Sequence, residues 1–447
     1  MSQRQDRREF LKRSALAGAS LAASHAAAGY FVNPLPAAES KSPNERLNLA
    51  CVGTTGRAGA NVSELSSQNI VALADVDSDL LEKGASRYPQ ARKYRDFRVM
   101  LEKEAEKIDA VVVGTPDHTH APAAAMAMRM KKHCYCEKPL THTVFEARTL
   151  SRLAAENKLV TQMGNQIHAG DNYRRVVELV KSGAIGKVTE VYVWANAKYS
   201  GAVFTTDKPS PATLDWDLWL GPAPQRPYTE GAHPFNWRRF WDYGTGALGD
   251  FGCHYMDLAH WALDLRAPTK VSAEGPKPDP VSAPEWCVAH YEYPARGDLP
   301  AVKLEWYDSG KQPKILPELL ATLKDDKGNA PSFPGGQLFI GEKGMLLSDY
   351  GRHILLPKDK FVGFQAPPQT IAKSIGHHAE WVQAIKTGGT TTCNFDYAGA
   401  LTEAVLLGVV AFRSGTAIEW DAAALKVKNS EHAQQFVHTE YRKGWTL

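Results

Sequence analysis

The chain has 447 residues, enough for two ordinary domains with buried cores. It is 43% hydrophobic and 23% charged with a formal net charge of only +3, a globular balance that gives no electrostatic basis for nucleic acid as a partner. Its six cysteines (Cys51, Cys134, Cys136, Cys253, Cys287 and Cys393) show neither paired CxxC spacing nor a dense disulfide pattern, so no metal centre is expected.

Near the start, Arg7-Arg8-Glu9-Phe10-Leu11-Lys12 precedes a mildly apolar stretch from Ser14 to Ala28. This resembles a twin-arginine export signal, with Asp6 where Ser or Thr is usual. Residues 1–44 are therefore read as signal and linker, and the mature protein is expected in the periplasm. An A-x-A site lies at Ala26 to Ala28, and Ala38 is a second candidate for cleavage. No other stretch reads as long and apolar enough to span a membrane.

Residues 45–165 alternate short apolar runs with helical stretches. The runs are Leu47 to Val52, Ile70 to Leu73, Ala110 to Val113, the neighbourhood of Tyr135, and Val160 to Met163. That rhythm predicts a doubly wound parallel α/β sheet of Rossmann type. Cys134 and Cys136, two apart in an apolar run, fall on one side of a strand and read as core. From residue 166 to 447 the texture changes. A helix over Tyr173 to Lys181 leads into Val188 to Trp194, which alternates as a half-buried strand does. Further strands are expected at Trp286 to Tyr293, Val302 to Trp306 and Gln337 to Ile340, with helices at Glu380 to Ile385 and Thr402 to Phe412. Such runs imply a second α/β domain on a large open, mostly antiparallel sheet. The segment Trp216 to Trp241, dense in Trp, Pro, Arg and His, is expected to form loops near a cleft.

Gly53-Thr54-Thr55-Gly56-Arg57-Ala58-Gly59 follows the first strand, where a glycine-rich turn lets main-chain N–H groups meet a pyrophosphate at a helix N-terminus. Gly53 and Ala58 fill the first and third slots of G-x-G-x-x-G/A, and Thr55 departs from the second. Asp75 ends the next strand, placed to accept from both ribose hydroxyls and to repel a 2′-phosphate, which favours NAD over NADP. Arg57 is expected to stack on adenine or reach a phosphate. Thr115-Pro116-Asp117-His118-Thr119-His120 follows the Ala110 to Val113 run, and cofactor contact is expected there, through Thr115, Pro116, Asp117 and His120.

A carboxylate and an imidazole four apart, Asp250 and His254, share one face of a helix. With Lys138 of Glu137-Lys138-Pro139 they form an acid, base and cation suited to moving a proton at a sugar hydroxyl. Histidine titrates near neutrality, an ammonium stabilises a developing alkoxide, and repulsion with burial is expected to lower the lysine pKa. Trp237 and Arg238 are the preferred candidates for a carbohydrate pocket.

These motifs, with Gly376-His377-His378, stand in the order found in the Gfo/Idh/MocA family of nicotinamide-dependent oxidoreductases, which the chain resembles from Leu47 to Leu447. The resemblance implies that Lys138 is the catalytic lysine beside the nicotinamide, His254 the general acid/base, and Asp250 a substrate-binding residue that orients the site. It also implies nicotinamide-ribose contacts from Glu137 and Asn165, and a homo-oligomer, dimer or tetramer, formed through the open sheet. The expected function is oxidation of a secondary hydroxyl on a sugar, cyclitol or glycoside, with tightly held NAD regenerated in place. An NAD-dependent glycosidase working by transient oxidation and elimination is one alternative. A non-catalytic cofactor-bound sensing or scaffold protein is another.

Overall fold

The computed structural model describes residues 45–447 apart from 207, 325 and 326. The export-signal reading falls on residues 1–44 and lies outside the described residues.

The apolar runs form β1 (Asn48–Val52), β2 (Asn69–Ala74), β4 (Ala110–Val113), β5 (His133–Glu137) and β6 (Thr161–Gly164), joined by a short edge strand β3 (Arg92–Tyr94). All pair in parallel in the order β3-β2-β1-β4-β5-β6. The order reverses between β1 and β4, the position where such sheets open a crevice beyond their strand ends. Strand β3 was not foreseen: Arg92 and Lys93 are exposed, so it carries no apolar signal. Helices α1 (Gly56–Glu64), α2 (Ser78–Ala85), α3 (Phe97–Glu104), α4 (Asp117–Arg129) and α5 (Val144–Glu156) link the strands. Cys134 and Cys136 are fully buried in one apolar cluster, while Tyr135 between them joins the cluster on the other face.

After α6 (Asp171–Lys181) comes β7 (Val188–Trp194), an interior strand of a nine-stranded sheet. Its other strands are β8 (Lys270–Glu274), β9 (Val288–Tyr293), β10 (Val302–Tyr307), β11 (Gly336–Gly341), β12 (Met345–Ser348), β13 (His353–Leu356), β14 (Ile418–Asp421) and β15 (Lys426–Val427). The order is β13-β12-β11-β7-β10-β9-β8-β14-β15, antiparallel except for the β7–β10 pair. Between β7 and β8 run the short α7 (Trp216–Leu220) and the long α8 (Gly246–Ala262). A further helix, α9 (Ile315–Ala321), follows β10.

Helices α10 (His377–Thr387) and α11 (Phe395–Ser414) return to the parallel sheet. Trp381 of α10 is fully buried among Leu49, Leu73 and Tyr135. Helix α11 corrects one expectation: by length and composition it is apolar enough to cross a membrane. Its most apolar window is 83% buried inside the protein, the burial of a core helix. It packs against α5 and α8 through small residues; Gly252 of α8 meets Val405 of α11.

A Cβ at Gly252 would lie 2.8 Å from Val405 Cγ1 and 3.0 Å from Cγ2. Neither α8 nor α11 can yield without shifting, because Val405 is fully buried. Gly252→Ala is expected to destabilise the protein by roughly 1–3 kcal/mol, measured by denaturant unfolding.

Candidate active site

One cavity of about 510 Å³ follows the carboxyl ends of the parallel strands. Asp75, Val76 and Arg95 line it beyond β2, and Glu137 and Lys138 line it beyond β5. Three strand spacings separate those positions, about 14 Å. Arg238 and His254, from the second domain, close the β5 side.

The glycine-rich turn is built to leave donors free. Gly53 has φ +90°, and a Cβ there would lie 2.9 Å from that of Ala58, so strand and helix approach closely only with glycine. Thr55 precedes α1 in an extended conformation open to any residue, which is why the departure from glycine is tolerated. It offers α1 no side-chain cap, and the first turn holds no acidic residue. The N–H groups of Gly56, Arg57 and Ala58 thus have no protein partner among the described residues. An anionic pyrophosphate fits that end. Asp75 is pinned beside it: Oδ2 accepts from the Thr54 N–H at 3.1 Å and hydroxyl at 2.8 Å, and Oδ1 accepts from the Asp77 N–H at 3.1 Å. Oδ1 keeps capacity for a ribose hydroxyl. Farther along, Thr115 Oγ1 and Asp117 Oδ1 are buried without partners, two orphans that a polar cofactor group would satisfy. The residues present therefore fit a dinucleotide.

The β5 end gathers the ionisable groups. Lys138 Nζ donates to Asp250 Oδ1 at 2.6 Å and to the Asp250 carbonyl at 3.0 Å. Arg238 Nε lies 3.4 Å from Asp250 Oδ2, so two cations share one carboxylate. Burial opposes ionisation of Asp250, yet Lys138 and then Arg238 overcome it and hold the carboxyl at about 2. For Lys138 burial also opposes the charge, but attraction to Asp250 wins and the pKa rises. The expected lowering of the lysine pKa is thus reversed, because the carboxylate partner outweighs burial and repulsion.

His254 goes the other way: burial and then the Lys138 charge depress it to about 3, so the ring is neutral. Its Nδ1 lies 2.6 Å from Asn165 Oδ1, while Asn165 Nδ2 donates to the Cys253 carbonyl at 2.9 Å. That second bond fixes the amide, so Nδ1–H donates and the Nε2 lone pair is free. Asp250 and His254 do share a helix, α8; His254 lines the cavity, and Asp250 pairs with Lys138 and Arg238, which line it too.

Several expected cofactor contacts are committed elsewhere. Asn165 is fully buried and holds His254, leaving it no free face for a ribose. The two ring nitrogens of His120 meet the carbonyls of Pro139 at 2.8 Å and Thr115 at 2.7 Å, so it braces the turn instead of entering the crevice. Arg57 lines the cavity beside the glycine-rich turn, but its Nε donates to Glu137 Oε1 at 3.0 Å, across the sheet from Asp75, so of its two expected roles this placement does not suit adenine stacking. The same oxygen accepts from Asn61 at 2.9 Å and Gln166 at 3.0 Å. Trp237 is buried, its indole N–H donating to the Pro234 carbonyl, and serves as a platform 4.1 Å beneath the Arg238 guanidinium. Pro116 lines the cavity at the head of α4. Sequence reading missed Tyr199, which faces Asp250; burial and that carboxylate push its phenol upward. It also missed Thr245, whose hydroxyl donates to Asp117 Oδ2 at 2.8 Å. No local pattern marks either one.

Burial and then repulsion from Asp250 raise Asp117 to about 7. Its folded pKa lies above the unfolded value, so the native state holds the extra proton between about pH 4 and 7 and stability falls as pH rises through that window. An Asp117→Asn variant is expected to gain on wild type across it, by up to about 4 kcal/mol, in urea unfolding from pH 4 to 8. The buried pair yields a second expectation. Lys138→Met and Asp250→Asn each cost about 3–5 kcal/mol. The double variant costs less than their sum, a coupling readable from a double-mutant unfolding cycle.

Two tandem family models match the chain: the NAD-binding Rossmann fold of the GFO_IDH_MocA oxidoreductases over residues 47–165, and the C-terminal alpha/beta domain over 170–300. Together they cover more than half of it. An inositol 2-dehydrogenase of Rubrobacter xylanophilus is 28% identical over 151 residues, 33% of this chain and 43% of the relative. A glycosyl hydrolase family 109 protein of Solibacter usitatus is 30% identical over 200 residues, 41% of this chain and 44% of the relative. The chain thus spans less than half the length of these curated relatives. In fold it is similar to GenD2 from gentamicin A biosynthesis, solved in complex with NAD: TM-score 0.58, 20% identity, covering 88% of this chain and all of that one. With the tandem domains, the parallel and open sheets, and the dinucleotide crevice in place, the chain belongs to the Gfo/Idh/MocA family of NAD-binding oxidoreductases.

Proposed function

We propose that the protein oxidises a secondary hydroxyl of a sugar, cyclitol or glycoside, using NAD rather than NADP, which it keeps tightly bound. We further propose that it is exported by the twin-arginine route to the periplasm and assembles as a dimer or tetramer through the open sheet. The observation that carries the reading is the convergence of the Lys138 ammonium and the free Nε2 of His254 in a crevice with unpaired N–H donors.

Bound NAD+ supplies the hydride acceptor. With NAD+ bound there to take the C–H hydride, the protein's own task would be to accept the O–H proton of the carbinol as it becomes a ketone. Lys138, held charged by Asp250, stabilises negative charge on the carbinol oxygen as that proton departs. His254 presents Nε2 to receive it; although a weak base, it meets a hydroxyl whose acidity rises steeply as the hydride leaves. Asn165 keeps the ring in the tautomer with that nitrogen open. Asp75, with its remaining acceptor capacity, favours a free 2′-hydroxyl over a phosphate.

Retention of the cofactor draws support from the segment between β7 and α8. It is stitched to the crevice rim: Ser78 N–H donates to the Thr213 carbonyl at 2.9 Å, Arg95 Nη2 to the same oxygen at 2.9 Å, and His233 Nε2 pairs with Asp77 at 3.2 Å. The glycosyl hydrolase relative favours a second reading, in which a transient ketone would acidify a neighbouring C–H, the aglycone would leave by elimination, water would add to the resulting enone, and re-reduction would return the hydride. The same residues serve both.

Native mass spectrometry of the purified protein is expected to find NAD at near-stoichiometric occupancy, without added cofactor. Sugars and glycosides are then offered to it. Absorbance of the reduced cofactor at single turnover supports the oxidoreductase, and released aglycone without net reduction supports the glycosidase. Lys138→Met is expected to slow either by roughly 10²–10³-fold. An empty crevice that stays empty when NAD is added removes the proposal.

A further inference from the structure

We propose that the substrate carries a carboxylate, and that Arg238 is the residue selecting it. This names the substrate class for the site read above and rests on that reading. Arg238 is not a surface arginine. Its side chain is 17% exposed, and its guanidinium lies 4.1 Å from the Trp237 ring, 4.7 Å from Phe235 and 6.0 Å from Tyr199. Three aromatic faces fix its orientation and strip it of water. Only Nη1 has a hydrogen bond, to the Phe235 carbonyl at 3.3 Å. Nε is buried without a hydrogen-bond partner, and Nη2 has none among the described residues. Nε is turned toward Asp250 Oδ2 at 3.4 Å, so the donors left for a ligand are Nη2 and the second hydrogen of Nη1, the end-on edge of the guanidinium, which matches the two oxygens of a carboxylate.

Charge counting points the same way. Arg57 and Glu137 neutralise each other. Lys138 and Arg238 must share Asp250. His254 is neutral. Asp117 bonds neither cation; its partner is the Thr245 hydroxyl, and burial keeps its proton on up to about pH 7. One positive charge beside the reacting carbon is therefore uncompensated within the protein. A desolvated cation that shares its one carboxylate with a second cation is costly unless a ligand completes it. A neutral hexose leaves that positive charge in excess, and a sugar acid offsets it.

The test uses the holoprotein and matched pairs: methyl hexopyranosides and the corresponding methyl hexuronosides in the gluco, galacto and manno series, with hexose 6-phosphates as a third arm. Binding is measured by calorimetry and oxidation by reduced-cofactor absorbance. At least one uronoside is expected to bind roughly 10- to 100-fold more tightly than its neutral partner, the worth of one charge-assisted pair. In Arg238→Met and Arg238→Gln that ratio should collapse toward one, and Arg238→Lys should recover only part of it. Neutral and acidic partners binding within twofold of each other in all three series would overturn the inference without needing any variant. So would a preference for the phosphates, or an acid preference that survives Arg238→Met. Arg238-dependent uronoside binding with no oxidation or cleavage would leave the inference standing and remove the proposed function. Turnover of neutral sugars alone would do the reverse.

Discussion

The Lys138–Asp250 pair ties the two halves of this protein together at the end of the crevice where its ionisable groups gather. Lys138 follows β5 of the parallel sheet, and Asp250 belongs to α8 of the second domain. A 2.6 Å contact between side chains 5–12% exposed fixes how the helix carrying His254 faces the strand ends where a dinucleotide lies. The pair is worth little as net stability, because desolvating two ions offsets much of their attraction. Its value is positional. With either partner removed, a buried charge is stranded and the imidazole loses its reference to the crevice.

Burial shifts the other perturbed groups at that end, and the pair adds to each shift. Burial and then the ammonium, held charged by Asp250, keep His254 neutral, and burial and then the Asp250 carboxylate raise Asp117. One contact thus sorts four titratable groups into two that stay ionised, one that stays neutral and one poised near neutrality. Groups pushed apart in this way are the mark of a site whose acid and base roles have been divided.

Much of this was legible in the residues. The apolar runs located five of the six parallel strands, and β3 escaped because an exposed edge strand need not be apolar. The four-residue spacing of Asp250 and His254 was readable because helical geometry makes it a contact rule. What sequence could not supply was the partner of each polar group. Asn165 and His120 sit where a cofactor residue would, but three-dimensional neighbours claim their hydrogen bonds first. Arg57 is next to the phosphate turn in the chain, yet the 80 residues separating it from Glu137 hide its true neighbour. The lysine pKa was misjudged for the same reason: its direction depends on whether a carboxylate lies at 2.6 Å, which no spacing reveals. Helix α11 shows the converse limit. Composition alone cannot separate a membrane span from a core helix, and only packing against α5 and α8 decides.

Rigidity links that packing to the chemistry. Glycine at 252 lets α8 lie close against α11, and α11 is buried against the helix that follows β5. Displacing α8 by even an ångström would lengthen the Lys138–Asp250 contact and swing His254 Nε2 away from the crevice, since both residues flank Gly252 on the same helix. A site that works by placing fixed charges where charge will develop cannot tolerate such movement, because reorientation during the reaction would consume the stabilisation. The apolar helix that by composition could span a membrane therefore serves as the backstop of the site: the glycine of α8 against its Val405 sets how closely the helix carrying Asp250 and His254 can lie.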